Sequence, residues 1–186
     1  MKSLNFEKMK AITTVLILLF CANFAFAQGV KKEVENGIFV EFPNTPDYYV
    51  NQGSPVYTAV TESVICMVII QRDMIPFYAQ FALEEKNWTE KEKKEIRDVL
   101  LDNAVKGALD YTGSAGNSQE IKIGNYYGRK INYTAINPVT GKRGERYGVI
   151  LSVRDRLILF ECFLMNESSK AIEEKNKFIN SISSYK

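Results

Sequence analysis

The chain of 186 residues contains no histidine. That absence removes Ser-His-Asp and Cys-His activation of a nucleophile, histidine-ligated zinc, and the usual general base near neutral pH. Cysteine is scarce as well, with three in the whole chain, too few for a four-cysteine metal site. Paired carboxylates are the remaining route to acid–base chemistry. Before the C-terminal segment the only adjacent glutamates are Glu84-Glu85, and neighbouring side chains do not converge on one substrate. The expectation is a protein that is not an enzyme and uses no cofactor and no metal.

A surplus of positive charge is also missing. The chain carries 24 Lys and Arg against 22 Asp and Glu, and the slight excess sits at the N-terminus. There Lys2, Lys8 and Lys10 precede an apolar run, Ala11 to Phe20, followed by Ala25-Phe26-Ala27. A basic start, a short apolar run and an A-x-A site are the layout of a secretory signal peptide. The expected organisation is a signal peptide over residues 1–27, cut between Ala27 and Gln28, and one domain over residues 28–186. A retained anchor would have to use residues 11–27, which Thr13, Thr14 and Asn23 interrupt; a spanning helix needs about 20 apolar residues. Cys21 is poorly placed for lipid attachment, because bulky Phe20 stands where a small residue is needed. Loss of the leader takes three lysines and one glutamate, leaving 21 residues of each sign. A neutral domain has no counterion-releasing surface for nucleic acid and no polybasic segment for an anionic membrane. The expected location is periplasmic or secreted.

In the remainder, Gly37 to Phe42 reads as a strand stopped by Pro43, after a short charged lead at Lys31-Lys32-Glu33. A loop rich in turn formers follows, from Asn44 to Pro55. Tyr57 to Ile70 holds two β-rich runs, and the second, Val64 to Ile70, is apolar on both faces like a central covered strand. From Thr89 to Tyr111 the apolar spacing becomes helical, with a Thr89/Glu92 capping box and Gly113 as a stop. The charge run Glu90 to Glu95 reads as a solvated first turn. Strands return at Glu120–Ile123, Arg129–Ile136, Arg146–Arg154 and Leu157–Leu164. A helix capped by Ser168 or Ser169 closes the chain, with Ile172, Lys175, Ile179 and Ile182, and Phe178 beside them, as its inner stripe. Short turns between consecutive strands imply antiparallel pairing. The fold class is α+β: one antiparallel sheet of six to seven strands flanked by helices.

Three stretches, GIFVEFPNTP, YYGRKINYTA and RYGVILSVRDRLILFECF with the following AIEEKNKFINSI, give the chain a resemblance to the PsbP-like family of small α/β/α sandwich domains. It covers nearly all of residues 34–184, although the last helix ends Ser181-Ile182-Ser183-Ser184-Tyr185 without the family's hydroxyl–aromatic ending. The resemblance implies a single antiparallel sheet with helices on both faces, no catalytic motif, and accessory or interaction roles.

Surface is what remains. Tyr48 and Tyr49 fall in the Pro/Asn/Gly-rich loop, and Tyr126 and Tyr127 fall at a turn beside Arg129. Aromatics with arginine at loop tips have the composition of interface anchors; equally, tyrosines at strand ends can roof a core with their rings. The leading expectation is an accessory protein that docks another envelope protein through Tyr48, Tyr49, Tyr126, Tyr127 and Arg129. The alternative is a small-molecule or lipid carrier with a cavity between sheet and helix, suggested by the two-faced apolar strands. Cys66 and Cys162 sit in apolar runs, where a thiol packs as a small hydrophobe. A bridge between them requires neighbouring strands with close Cβ atoms.

Overall fold

The computed structural model describes residues 29–137 and 139–185. The expected signal peptide, its Ala27–Gln28 cut and Cys21 lie outside these residues. Among the described residues the order is β1 (Val30–Glu35), β2 (Ile38–Phe42), β3 (Asp47–Asn51), β4 (Ser54–Val60), β5 (Val64–Gln71), α1 (Tyr78–Glu85), α2 (Glu90–Thr112), β6 (Gly116–Ile123), β7 (Tyr126–Ile136), β8 (Arg143–Val153), β9 (Arg156–Leu164), α3 (Ser169–Asn180) and β10 (Ser183–Ser184). The larger sheet has seven strands in the order β3-β4-β5-β9-β8-β7-β6, all paired antiparallel. A second sheet, β1-β2-β10, has three.

The two-faced apolar run Val64 to Ile70 becomes the central strand β5, paired along its length with β9. On one face Cys66, Val68, Phe160 and Cys162 pack under the small sheet and α3, where Phe42 meets Phe178 with ring centroids 5.4 Å apart. On the other face Ile65, Ile131, Ile150 and Phe163 pack under Leu101 and Val105 of α2. The fold is thus an α+β sandwich with the large sheet as its middle layer, as the sequence predicts.

Helix α2 has the predicted ends. Thr89 accepts from the Glu92 amide while Glu92 reaches back to the Thr89 amide, and Gly113 closes the helix at φ 58°. A left-handed residue there suits glycine, which carries no Cβ.

Several expectations are corrected. The charged lead is strand β1, joined to β2 by Asn36-Gly37, both at positive φ. The Asn44–Pro55 segment contains strand β3, joined to β4 by Gln52-Gly53 at φ 48° and 81°. In both cases a two-residue loop with positive φ matches strand twist, so turn formers that read as open loop close a hairpin. Helix α1 has no capping signal from a side chain and was not expected from the sequence. In α3 the inward stripe is Ala171, Phe178 and Ile179 with Ile182 beyond, while Ile172 is exposed. The small sheet, absent from the single-sheet expectation, is the β1–β2 hairpin with Ser183 and Ser184 added on the other edge of β2, opposite Phe39 and Ile38.

Phe178 is 1% exposed and joins α3 to the first core. Phe178→Ala should lower stability by about 3–5 kcal/mol, visible in thermal melting as a fall of roughly 10 °C.

Candidate functional site

Seven strands at about 4.8 Å spacing form a sheet far wider than one helix, which is about 10–12 Å across. Helix α2 lies over β7 and β8, leaving part of the same face of β5 and β9 uncovered. A cleft of about 520 Å³ opens between them, lined by Ile69, Leu157 and Leu159 from the sheet and by Leu100, Ala104, Gly107 and Ala108 from the helix. Residues 100, 104, 107 and 108 share one side of α2 by the three-to-four spacing of a helix. The small size of Ala104, Gly107 and Ala108 leaves the space: a Cβ added at Gly107 would meet nothing within 4 Å.

Gln71, Asn103 and Thr112 also reach this mostly apolar lining, and three further polar side chains converge at its floor. Tyr133 of β7 and Arg146 of β8 are directly opposite, and Glu161 of β9 lies on the same face one pair away. The Tyr133 hydroxyl donates to Glu161 Oε1 at 2.9 Å. Arg146 Nη1 donates to the Tyr133 oxygen at 3.0 Å and to the same Glu161 oxygen at 3.2 Å. The guanidinium also stacks 3.9 Å from the centre of the Phe163 ring. Tyr133 is 3% and Glu161 5% exposed. Burial, then the neighbouring Glu161 charge, pushes the Tyr133 hydroxyl far above its ordinary range, so it stays a proton donor. Arg146 Nε is buried without a hydrogen-bond partner. An apolar cleft with a few convergent polar groups has the make-up of a small-molecule site.

The residues expected at a docking surface are not gathered on one. Tyr48 and Tyr49 lie on edge strand β3, not in a loop, and are 58% and 47% exposed. Tyr126 and Tyr127 open strand β7, five strand spacings away, or about 24 Å. They are half-buried and face opposite sides of the sheet, Tyr126 against the first core and Tyr127 against the second. Both border a polar pocket of about 300 Å³ with Lys93, Arg97, Lys122 and Arg154.

Arg129 is the clearest correction, being 5% exposed and turned under α2. Its Nη2 meets Asp98 at 2.9 Å and its Nε meets Asp102 at 2.8 Å. It is a clamp between β7 and α2 and is not available as an interface anchor. Cys66 and Cys162 are direct cross-strand partners, held as thiols with Sγ atoms 3.5 Å apart.

Tyr133, Arg146 and Glu161 escaped notice in the sequence. Glu161 did leave a signal: one acid inside LILFECF, on a strand covered on both sides, needs a partner when buried. The partner's identity depends on register, which the pattern of one strand does not give.

No protein-family model matches the chain, and no curated protein sequence does. Among solved structures it is similar to the cyanobacterial PsbP of Synechocystis sp. PCC 6803, at 12% identity over 86% of this chain and 94% of that one, with a TM-score of 0.49. A Bacteroides thetaiotaomicron VPI-5482 protein is similar at 12% identity over 86% of this chain, with a TM-score of 0.44; the chain spans 49% of its length. LpqN of Mycobacterium tuberculosis, described as involved in cell envelope biogenesis, is similar at 12% identity over 84% of this chain and 90% of that one, with a TM-score of 0.35. The likeness is one of fold alone.

Two predictions test the clamp. Arg129→Met strips Asp98 of its guanidinium partner and should cost about 2 kcal/mol, a fall of roughly 4–8 °C in melting temperature. Partial burial resists ionisation of Asp98, but bonds donated by Lys94 and Arg129 outweigh it and hold the carboxyl below its ordinary range. A lowered folded-state pKa makes ionisation favour the fold. That contribution is complete above about pH 5 and is lost as pH falls below about 4, through the folded value. Asp98→Asn should therefore lose less stability than the unaltered chain between about pH 5 and pH 2, read by melting at each pH.

Proposed function

We propose that this protein is a non-catalytic binding protein that holds a small amphiphilic molecule in the cleft between α2 and the β5/β9 face. The observation that carries this reading is the buried Tyr133–Arg146–Glu161 cluster on the floor of a mostly apolar cleft of about 520 Å³. Apolar walls take the body of the ligand, and the polar cluster orients its head. Arg146 and Glu161 balance each other's charge, so the head group best matched to the floor is an uncharged hydrogen-bonding group. No cofactor or metal enters the reading. Export, with release after Ala27, is part of the same proposal and puts the protein in the envelope or outside the cell. No described helix is long and apolar enough to cross a membrane.

A second reading keeps a protein partner but moves it to one edge. Strand β3 exposes Tyr48, Tyr49 and Val50 and carries one charge, Asp47. Of the other outer strands, β1 is guarded by Lys31, Lys32 and Glu33 and β6 by Glu120 and Lys122, while β10 is only two residues long. Charged edges discourage strand addition, and β3 lacks that guard.

Gly107→Leu separates the two. Leucine fills the cleft and, as a better helix former than glycine, should hold or raise the melting temperature by about 2–4 °C. In titrations with a fluorescent dodecanoyl amide, the unaltered protein should bind and the variant should lose at least about tenfold in affinity. Equal binding by the two, or none by the unaltered protein, sinks the cleft reading. Tyr49→Lys should leave that titration unchanged and weaken only association through β3.

A further inference from the structure

We propose that Cys66 and Cys162 are the two halves of a cross-strand disulfide that closes when the chain folds in the presence of a disulfide oxidant. The pairing is set by the sheet. Cys66 of β5 is directly opposite Cys162 of β9, flanked by the partners Val64–Leu164 and Val68–Phe160. A slip of one residue would send the two thiols to opposite faces, and the register runs unbroken over eight pairs from Val64–Leu164 to Gln71–Leu157. Directly opposed residues have Cβ atoms about 4.5–5.5 Å apart, and a disulfide takes about 3.5–4.5 Å. The sulfurs are already 3.5 Å apart, so closing to a bond of about 2.05 Å requires side-chain rotation and a slight pinch of two strands. Among the described residues, no other cysteine competes for either thiol.

Both thiols are 0% exposed in the folded protein. The hydrogen bond to Cys162, then burial, pushes the Cys66 thiol well above its ordinary range. A buried thiol that resists ionisation is a poor nucleophile, and the thiolate is the attacking species. The bridge therefore forms while β5 and β9 are still associating. One thiolate attacks the oxidant's disulfide and releases one oxidant thiol. The second attacks the protein sulfur of that mixed disulfide and releases the other. Two protein thiols give up two electrons and two protons, and one oxidant disulfide becomes two thiols. The same burial then shields the finished bridge from external reductant.

The test is refolding of the reduced full chain with a mixture of reduced and oxidised glutathione, and, separately, with dithiothreitol. The glutathione sample should be about 2 Da lighter and give a linked Cys66–Cys162 peptide pair in a non-reducing digest. It should melt on the order of 10 °C above the dithiothreitol sample, because the bridge closes a long loop. Folded and bridged, it should keep the link in dithiothreitol and lose it once unfolded. Cys66→Val/Cys162→Val should melt at one temperature in both buffers. If both cysteines accept an alkylating reagent when the glutathione-refolded protein is unfolded without reductant, the proposal is overturned. A link from either residue to Cys21 or to glutathione overturns it as well.

Discussion

The described fold answers to the central pair β5 and β9, whose side chains are mostly apolar above and below the sheet, Glu161 being the buried exception. A strand of that kind is stable only if both faces are taken out of water. One face is closed by the small sheet and α3, whose Ala171, Phe178 and Ile179 turn inward. The other falls to α2, which buries Arg97, Leu101 and Val105 along one narrow stripe. A single helix is too slender for seven strands, and the uncovered remainder is the cleft. The opening is a consequence of covering a wide sheet with one rod.

The chemistry on that floor fits a role in recognition better than a role in stability. Taking an arginine and a glutamate out of water is costly, and an apolar substitute of similar volume is often at least as stable. The ion pair of Arg129 with Asp98 and Asp102 has an evident mechanical task, since it ties α2 to β7. Arg97 does likewise, donating to the Arg154 carbonyl and pairing with Glu85 of α1. The Tyr133–Arg146–Glu161 cluster joins strands already held by backbone ladders, so no comparable structural task explains it.

Much of the architecture was legible because it rests on local rules. The capping box at Thr89 and Glu92, the stop at Gly113 and the alternation of Ile131, Tyr133 and Ala135 each depend on residues close in the chain. What failed to show depends on distance. The pairing of Ser183 with Phe39 adds to the β1–β2 hairpin a third strand that no periodicity announces. Arg129 reads as a surface anchor when it stands at the first position of its strand beside a turn; the strand starts at Tyr126, which sets Arg129 inside the sheet and under α2. The two tyrosine pairs resembled one another in composition, yet strand order put them on opposite margins of the sheet. Only an expectation phrased as a general cavity between sheet and helix could anticipate the cleft, and its polar floor required register.

The same strand order sets a timetable. Residues 64–71 find their partner in residues 156–164, and β2 is not sealed until residues 183 and 184 arrive. Contacts of such long sequence separation close slowly, since loop entropy must be overcome before they reward the chain. An emerging N-terminal half can make the hairpins β1–β2, β3–β4 and β4–β5, but β9 and α3, which complete one core, and the full length of α2, which covers the other face, come later. The polypeptide must therefore remain without its core until synthesis is nearly finished. Under the proposed export, that delay would keep the chain translocation-competent. For a chain held too long in that state, the two-faced strand VICMVIIQ is the segment most exposed to aggregation.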